Sequence, residues 1–312
     1  MTSRAAYVAL IGGANMDVAA HSTAAPVAGD SNPGRIVCSP GGVARNVAEN
    51  LVRLGVDARL LSVLGDDVFG QALRQAAADI ALDLSACTTI PGQRSATYLS
   101  LHGPDGDMGV AVNDMGILEC LTPELLARHR PLLEGAAALV VDCNVRPDVL
   151  AWIGDQRADK PVFAEAVSVA KCQKLLPLLH QLHTLKANRL EAQSLSGLEI
   201  RSAQSAAEAA RSLHQRGVRE VVISLGAEGV AWCDAAGVVG HQSARRAQMV
   251  SASGAGDALL SGLVYAHLQR MPLDLSVGWA MACAELTLSS PFATSPDLSV
   301  AAVEARLQAR TT

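Results

Sequence analysis

The chain has 312 residues, of which half are hydrophobic and only 3% are aromatic, a composition that allows one large globular domain or two smaller ones. Its 25 basic and 30 acidic residues give a net charge of -5. The chain therefore lacks the basic excess needed to neutralise a phosphodiester backbone, and nucleic acid is not an expected partner.

The N-terminal region begins with a strand-like segment. The first apolar run, Tyr7–Ile11, stops at Gly12-Gly13 and is too short for a signal sequence or a membrane span. The seven cysteines are scattered singly, without Cys-x-x-Cys spacing, which favours reduced thiols. We therefore expect a cytoplasmic protein with no membrane association.

Apolar runs of strand length alternate with longer amphipathic stretches along the chain. This alternation predicts a parallel sheet with helices on both faces. The runs before Asp142 and Gly226 are continuously apolar, so these two strands should be buried on both sides. The predicted strands of the main sheet are Tyr7–Ile11, Ala58–Leu64, Ala137–Asp142, Pro161–Ala164, Thr184–Ala187 and Val221–Leu225.

The loop after the first strand carries an amide and a carboxylate. Asn15 and Asp17 lie just beyond the carboxyl end of that strand, where open α/β sheets bind ligands. Asp17 could accept hydrogen bonds from two neighbouring sugar hydroxyls. The alternative is an Asx-turn that only closes the loop.

Two segments interrupt the alternation of strands and helices. Residues 18–39 are rich in Ala, Pro, Gly, Ser and Asn and end in a short predicted strand, Arg35–Ser39. Farther on, Ala96–Leu101 and Met108–Asn113 flank a Gly-Pro-Asp-Gly sequence that suits a β-hairpin turn. We expect a small antiparallel flap, inserted at about residues 18–39 and 94–114 into a single domain that spans residues 1–312.

A glycine pair precedes a predicted helix in the next segment. Gly41-Gly42 would let the backbone approach a ligand closely, and Asn46 follows in the first turns of the helix with a donor and an acceptor for hydroxyl groups. This arrangement suits a polyol. The alternative is a plain turn before an amphipathic helix that ends at Gly55.

The most informative stretch is Gly254-Ala255-Gly256-Asp257, at the start of a helical pattern. Small residues there leave free N–H groups at the positive end of the helix dipole, which suits a phosphoryl group. Asp257 could accept the proton of an alcohol that attacks phosphorus. The alternative is a tight loop in which Asp257 only caps the helix.

These segments resemble the signatures of the PfkB/ribokinase family. The matches are Gly41-Gly42 with Asn46, Gly254–Asp257, the loop from Gly12 to Asp17, Asn188-x-x-Glu191, and Ser224–Gly229, in family order over nearly the whole chain. The resemblance implies a ribokinase-like three-layer α/β/α sandwich, with a mostly parallel central sheet and a small β lid.

The resemblance also implies a role for each matched residue in an ATP-dependent kinase. Its substrates would be a small nucleoside or sugar and ATP. Asp257 would be the catalytic base, with Gly254, Ala255 and Gly256 as the anion hole. Asn15, Asp17, Gly41, Gly42 and Asn46 would hold the acceptor; Asn188, Ser224, Gly226 and Gly229 would bind ATP; Glu191, with Asn188, would hold Mg²⁺ through water.

Two points stay open within this resemblance. Asn188 and Glu191 also have the spacing of a capping box, and both roles can hold at once. Many family members carry Asp-Thr where this chain has Ser251-Ala252, and that Asp helps to bind a monovalent cation. A dependence on K⁺ is therefore an open question.

A narrower resemblance is to the pseudouridine kinases within the family. It rests on the segments 162–171, 113–115, 286–290 and 295–299, with Glu165 at a position usually held by Asp. It implies the 5′-hydroxyl of pseudouridine as acceptor, and Asn113 as a lid residue that touches the base or ribose. Asp142 and Asn144 would lie near the phosphates or the substrate, or Asp142 would cap a helix ahead of Pro147.

Other functions remain as alternatives. The acceptor could be another nucleoside or sugar, of the ribose, adenosine or fructose type, and a catalytically silent ligand-binding homologue is a further possibility. A dinucleotide-binding oxidoreductase is disfavoured because no Gly-x-Gly-x-x-Gly turn follows the first strand.

The exposed edge of the lid could pair with a second copy, so a homodimer is also expected.

Overall fold

The computed structural model describes residues 6–157, 159–245 and 249–309. Its strands are β1 (Tyr7–Ile11), β2 (Asn15–Ser22), β3 (Gly34–Gly41), β4 (Asp57–Leu61), β5 (Val63–Gly65), β6 (Thr88–Ile90), β7 (Thr97–His102), β8 (Met108–Asp114), β9 (Ala138–Asp142), β10 (Val162–Glu165), β11 (Thr184–Asn188), β12 (Glu220–Ser224), β13 (Val230–Cys233) and β14 (Val239–Gln242).

The α-helices are α1 (Val43–Arg53), α2 (Val68–Asp79), α3 (Pro123–Ala127), α4 (Arg130–Gly135), α5 (Pro147–Gln156), α6 (Val169–Cys172), α7 (Arg189–Ser196), α8 (Ala203–Gln215), α9 (Ala255–Leu268), α10 (Leu273–Leu288) and α11 (Val300–Gln308). Short 3₁₀ helices span Gly116–Cys120, Gln173–Gln181 and Gly226–Glu228. Among the described residues, no helix has the length and apolar character needed to cross a membrane.

Eight strands form the central sheet, in the order β14-β13-β12-β11-β10-β9-β1-β4. The strands from β4 to β12 in this order are parallel, and β13 and β14 add an antiparallel edge. Every residue of β1 and β9 is buried, because helices cover both faces of the sheet. The predicted fold class, a three-layer sandwich with a mostly parallel sheet, is confirmed.

The core lies on both faces of this sheet. Val8 and Leu10 of β1 pack into one cluster with α1 and α9, whereas Ala9 and Ile11 pack into the other with α5 and α8. This division follows from the strand period of two, which sends successive side chains to opposite faces. The helices therefore cover the two faces of the sheet.

A second sheet of four strands, in the order β3-β2-β7-β8, is called the lid sheet below. The predicted hairpin of β7 and β8 is confirmed, and β2 is antiparallel to β3. The expectation of a purely antiparallel flap is wrong, because β2 and β7 are parallel.

Strand β2 differs from the expectation from the sequence, because the composition of the region from Val18 predicts irregular structure there. It pairs with β3 along its whole length and with β7 over most of it. Its Ala-Ala-His sequence has little β-propensity of its own. Pairing on both sides therefore decides its conformation.

The single strand predicted over residues 58–64 is in fact two strands. β4 ends at Leu61 in the central sheet, and β5 pairs with β6 in a separate two-stranded sheet. Between them, the Oγ of Ser62 donates to the carbonyl oxygen of Gly12 at 2.7 Å. The break is thereby tied to the first glycine loop.

Candidate active site

The carboxyl ends of the parallel strands gather most of the polar residues singled out above. β1 ends before Gly12-Gly13, β9 ends at Asp142, and β11 and β12 end at Asn188 and Ser224. Asn188 and Ser224 are direct partners in the register of β11 and β12. This edge is where ligands of open α/β sheets bind.

Helix α9 begins at a glycine whose surroundings leave no room for a Cβ atom. Gly254 is the N-cap with φ 75°, and a Cβ there would lie 1.7 Å from the carbonyl oxygen of Ala293. No side chain in the described part of the chain caps the helix, and Ala255 and Gly256 are only half-buried. The first-turn N–H groups thus remain available to an anion.

Asp257 lies in the first turn of α9, half-buried beside Asn46. The Nδ2 of Asn46 donates to its Oδ2 at 2.9 Å. Burial raises the pKa of Asp257 to about 6, although the Asn46 hydrogen bond and the charge of Lys186 oppose this rise. A carboxylate with such a pKa can accept a proton near neutral pH.

Lys186 and Glu165 form a buried ion pair next to this helix start. The Lys186 Nζ is 2.9 Å from Oε1 of Glu165 and lies 2.5 Å from the place where a Cβ of Gly256 would be. Burial lowers the pKa of Lys186, but the neighbouring carboxylates outweigh burial and raise it overall. Burial raises the pKa of Glu165 to about 7.

Lys186 is not among the site residues predicted from the sequence. The signal for it was present, because it is the one charged residue inside the otherwise apolar run of β11. A lysine is almost never fully buried unless it is paired. At this position it places a positive charge beside the first turn of α9.

Asp142 accepts hydrogen bonds from three backbone N–H groups around the first glycine loop. Its Oδ2 accepts from the N–H groups of Gly13 at 2.8 Å and Ala44 at 3.0 Å, and its Oδ1 accepts from Asn144 N at 2.8 Å. The helix-cap alternative is wrong, because the N-cap of α5 is Arg146. Asp142 instead fixes the first glycine loop against the start of α1.

The acceptor residues predicted from two distant segments come together at this point. Asn15 and Asp17 lie in β2, where the Nδ2 of Asn15 donates to Oδ1 of Asp17 at 2.6 Å. A Cβ at Gly41 would lie 2.2 Å from Oδ2 of Asp17. Gly42, with φ 98°, is the N-cap of α1, and its missing Cβ lets Gly13 approach. Asp17 therefore belongs to a strand, and the Asx-turn alternative is wrong.

Asn113 lies farther from this group than the other acceptor candidates. It is exposed on β8, opposite Tyr98 in the register, and Tyr98 is in turn opposite Asp17. Directly paired residues of neighbouring strands point to the same face of a sheet. Asn113 and Asp17 thus share one face of the lid sheet.

The nucleotide-side candidates follow β11 and β12. Asn188 and Glu191 form the capping box, with the Glu191 Oε2 accepting from Asn188 N at 2.7 Å and Asn188 Oδ1 accepting from Glu191 N at 3.0 Å. Gly226 and Gly229 have φ values of 62° and 100° around the short 3₁₀ helix after Ser224. In the described residues, no group of three or more His, Cys, Asp and Glu side chains is arranged to hold a metal ion.

Comparison with known proteins places this geometry in a family. The model of the pfkB family of carbohydrate kinases matches residues 5–299. The chain is 41% identical over 297 residues to the pseudouridine kinase of Escherichia coli (strain K12), with 95% of each protein covered.

Solved structures agree with this match. A carbohydrate kinase from Agrobacterium tumefaciens is 29% identical, with a TM-score of 0.83 and 97% of each chain covered. The ribokinase of Arabidopsis thaliana, solved with ribose and ATP, is 19% identical with a TM-score of 0.87, covering 98% of this chain and 99% of the ribokinase, and shows the same fold. The chain belongs to the pfkB family of carbohydrate kinases and is an ATP-dependent kinase of a sugar or nucleoside.

Proposed function

We propose that this kinase phosphorylates the 5′-hydroxyl of pseudouridine, with Asp257 as the general base. The observation that carries the proposal is the 2.9 Å hydrogen bond between Asn46 and Asp257 at the open start of α9. The 41% identity to an enzyme named pseudouridine kinase supports the choice of acceptor.

The chemical step is an in-line transfer. The 5′-oxygen forms a bond to the γ-phosphorus of ATP as its proton passes to the Asp257 carboxylate. The bond from the γ-phosphorus to the bridging oxygen breaks, and ADP keeps that electron pair. The amides of Gly254, Ala255 and Gly256, with the Lys186 ammonium, stabilise the charge on the phosphoryl oxygens.

The nucleotide side holds ATP and the cation that accompanies it. Asn188, Ser224, Gly226 and Gly229 line the cleft for ATP. Mg²⁺, when bound, neutralises the phosphates. Carboxylate oxygens are its preferred ligands. Glu191, with Asn188, would hold the cation through water, and the Oε2 of Glu165, which is buried without a hydrogen-bond partner among the described residues, would be a further oxygen acceptor for its water shell.

Two polar side chains near Gly13 support a nucleobase rather than a bare sugar. The Nδ2 of Asn144 lies 3.2 Å from where a Cβ of Gly13 would be, and Lys171 Nζ donates to Asn144 Oδ1 at 2.7 Å. An ammonium and an amide beside the acceptor loop can donate to the carbonyl oxygens of a uracil ring. The narrower resemblance also included Lys171.

The lid sheet shields the transfer from water. Its polar face carries Asp17, Tyr98 and Asn113 in one cross-strand row toward the acceptor. The segments at about 18–39 and 94–114 act as one insertion into a single domain. The lid closes over the acceptor once both substrates are bound.

The other face of the lid sheet supports a homodimer. It is apolar over two cross-strand rows, and Ile36 is 69% and Val112 is 61% exposed. A contiguous exposed apolar patch marks an interaction site, and a second copy offers the same patch. The two rows are Cys38, Val18, Leu99 and Val112, and Ile36, Ala20, Leu101 and Val110.

The acceptor is tested by turnover on a panel of pseudouridine, uridine, adenosine, ribose and fructose, with ADP release as the readout. We expect the highest kcat/KM for pseudouridine. A higher kcat/KM for another member of the panel would contradict pseudouridine as the acceptor but would leave the assignment as a kinase intact. No ADP release with any acceptor would contradict both.

The base is tested by Asp257→Asn. We expect kcat to fall by about a thousandfold, with ATP affinity nearly unchanged, because the amide cannot accept the proton. The matched control is Asp274→Asn, which changes the first-turn aspartate of α10, a helix start outside the site. This control should keep the wild-type kcat.

A further inference from the structure

Arg45 is a charged side chain buried at the start of α1, inside the site. It is 5% exposed. Its Nη1 donates to the carbonyl oxygen of Pro40 at 3.1 Å and to Oδ1 of Asn46 at 3.3 Å. Its Nη2 donates to the carboxylate of Glu49.

The hydrogen bond from Arg45 determines which way the Asn46 amide points. The amide oxygen only accepts hydrogen bonds and the amide nitrogen only donates them. With Oδ1 turned toward Arg45, the Nδ2 of Asn46 lies against Asp257, at 2.9 Å from its Oδ2. The three side chains form a directional chain in which each hydrogen bond polarises the next.

Glu49 anchors Arg45 to the loop beside the start of α9. Its Oε1 accepts from the Thr294 Oγ1 at 2.9 Å and from Arg53 at 2.8 and 3.0 Å. Thr294 follows Ala293, whose carbonyl oxygen packs against the start of α9. Glu49 thus compensates the buried charge of Arg45 and links its guanidinium group to the loop that carries Thr294.

We propose that Arg45 is a positioning residue for the catalytic base: through the Asn46 amide it orients Asp257 and keeps it ionised. This inference rests on the proposed function, in which Asp257 receives the proton of the acceptor. Arg45 acts in this role without touching the acceptor or ATP.

Other charged groups also act on Asp257. Lys186 lowers its pKa, Asp142 and Asp17 raise it, and Asp257 in turn raises the pKa of Glu165. Loss of Arg45 leaves all four in place, but the pKa of Asp17 would rise, since Arg45 lowers it. That change would lower the pKa of Asp257, but the Asn46 hydrogen bond acts on Asp257 more strongly than Asp17 does, so the net expected change is a rise.

The test compares Arg45→Met with Arg53→Met in the full chain. Both changes remove a cation from Glu49, whereas only Arg45 contacts Asn46. We expect Arg45→Met to lower kcat by about ten- to a hundredfold and to move the acidic limb of its pH profile upward by about one unit. Nucleotide affinity should stay the same, and Arg53→Met should keep the wild-type limb.

Arg45→Lys is measured as well, in case Arg45→Met does not fold. It keeps the charge beside Glu49 but lacks the fork that reaches Pro40 and Asn46 together. The acidic limb of the pH profile of Arg45→Lys should also move upward. An unmoved limb in a folded Arg45 variant, or an equal shift in Arg53→Met, overturns the positioning role alone. Turnover retained in Asp257→Asn overturns the proposed base, and this inference with it.

Discussion

At the scale of single residues, the site depends on a few buried charges that oppose one another. Asp257 accepts a hydrogen bond from Asn46, and the positive charge of Lys186 in β11 lowers its pKa. Lys186 is in turn paired with Glu165. Burial favours the neutral form of each carboxyl group, and the hydrogen bonds and positive charges favour the anion. The balance leaves the pKa of Asp257 raised to about 6.

The pH dependence of turnover follows from this balance. Burial raises the pKa of Asp257 to about 6, so the carboxyl group is protonated and inactive below that pH. We expect kcat to fall about tenfold per unit on the acid side and to level off above it. A profile of kcat against pH measures this limb, and a flat profile through this range would contradict the assignment.

The same pKa sets the sign of a stability effect. A carboxyl group whose folded pKa is raised favours the fold at low pH, and this contribution is lost as pH rises through about 6. Replacing Asp257 by Asn should therefore not lower Tm at about pH 8. Loss of activity in that variant would then report on chemistry and not on unfolding.

Asp142 makes a second prediction at this scale, through the backbone groups that it holds. Asp142→Asn leaves one acceptor oxygen for three N–H donors and turns an NH₂ group toward them. We expect a loss of about 2–4 kcal/mol in the free energy of unfolding and a larger rise in KM for the acceptor than for ATP.

The control for Asp142 is Asp148→Asn. Asp148 is an exposed residue of α5 that pairs with Arg146 at the surface. Its replacement should change Tm by less than about 2 °C. Urea unfolding and steady-state kinetics measure both variants. Equal effects of the two changes would show that Asp142 does not brace the glycine loop.

At the scale of elements, the start of α9 determines whether the anion site can exist. A side-chain cap satisfies one of the first N–H groups in some helices, as Asp67 does in α2, whereas α1, α5 and α10 have no such cap. α9 has a glycine at that position, and the loop carrying Ala293 packs directly on it. The helix start is thereby held in place, and no side chain among the described residues caps its first N–H groups, as the proposed phosphoryl site requires.

This arrangement predicts a large effect of Gly254→Ala. The added Cβ would clash with the Ala293 carbonyl at 1.7 Å, so the helix start must move, and we expect kcat to fall by at least about a hundredfold. Gly197→Ala is the matched control, because Gly197 has the same φ of 75° but no atom within 4 Å of its Cβ position.

In Gly197→Ala, the free energy of unfolding should fall by only about 1–2 kcal/mol, because alanine must adopt the left-handed conformation, and turnover should stay at the wild-type level. Steady-state kinetics and thermal unfolding of the two variants separate the backbone effect from the effect on the site. Normal turnover in folded Gly254→Ala would remove this helix start from the mechanism.

At the scale of the whole molecule, the lid sheet has two different faces. One carries the polar row of Asp17, Tyr98 and Asn113, and the other carries the apolar rows that include Leu99 and Val112. An exposed sheet with one apolar face is usually covered in the native assembly. We therefore expect the homodimer to form through this face.

The prediction for the dimer compares two valines of equal exposure. Val112 lies on the apolar face of the lid sheet and Val238 lies beyond it, next to β14, and both are 61% exposed. Val112→Glu should shift the protein toward monomer, because it places a charge in the interface, while Val238→Glu should not. Sedimentation velocity at micromolar concentration measures both. A wild-type protein that sediments only as monomer would contradict the dimer.

The sequence by itself determined those features that are local along the chain. The apolar runs predicted the six parallel strands of the central sheet, since burial on both faces demands continuous apolar segments, but they did not predict the antiparallel strands β13 and β14. The glycines before Asp257 predicted an uncapped helix start, and the spacing of Asn188 and Glu191 predicted the capping box. Each of these depends on residues within one turn or one strand of each other.

Only the tertiary structure decided how these parts combine. Asn46 meets Asp257 across 211 positions, and Asp142 meets Gly13 across 129. Such contacts depend on strand order and on the direction of each crossover, which no local pattern records. Strand β2 shows the same limit, because its low β-propensity is overridden by partners on both sides. The chain carries the chemical groups in its sequence, but only packing brings the Asp257 carboxyl group within hydrogen-bond distance of the Asn46 amide.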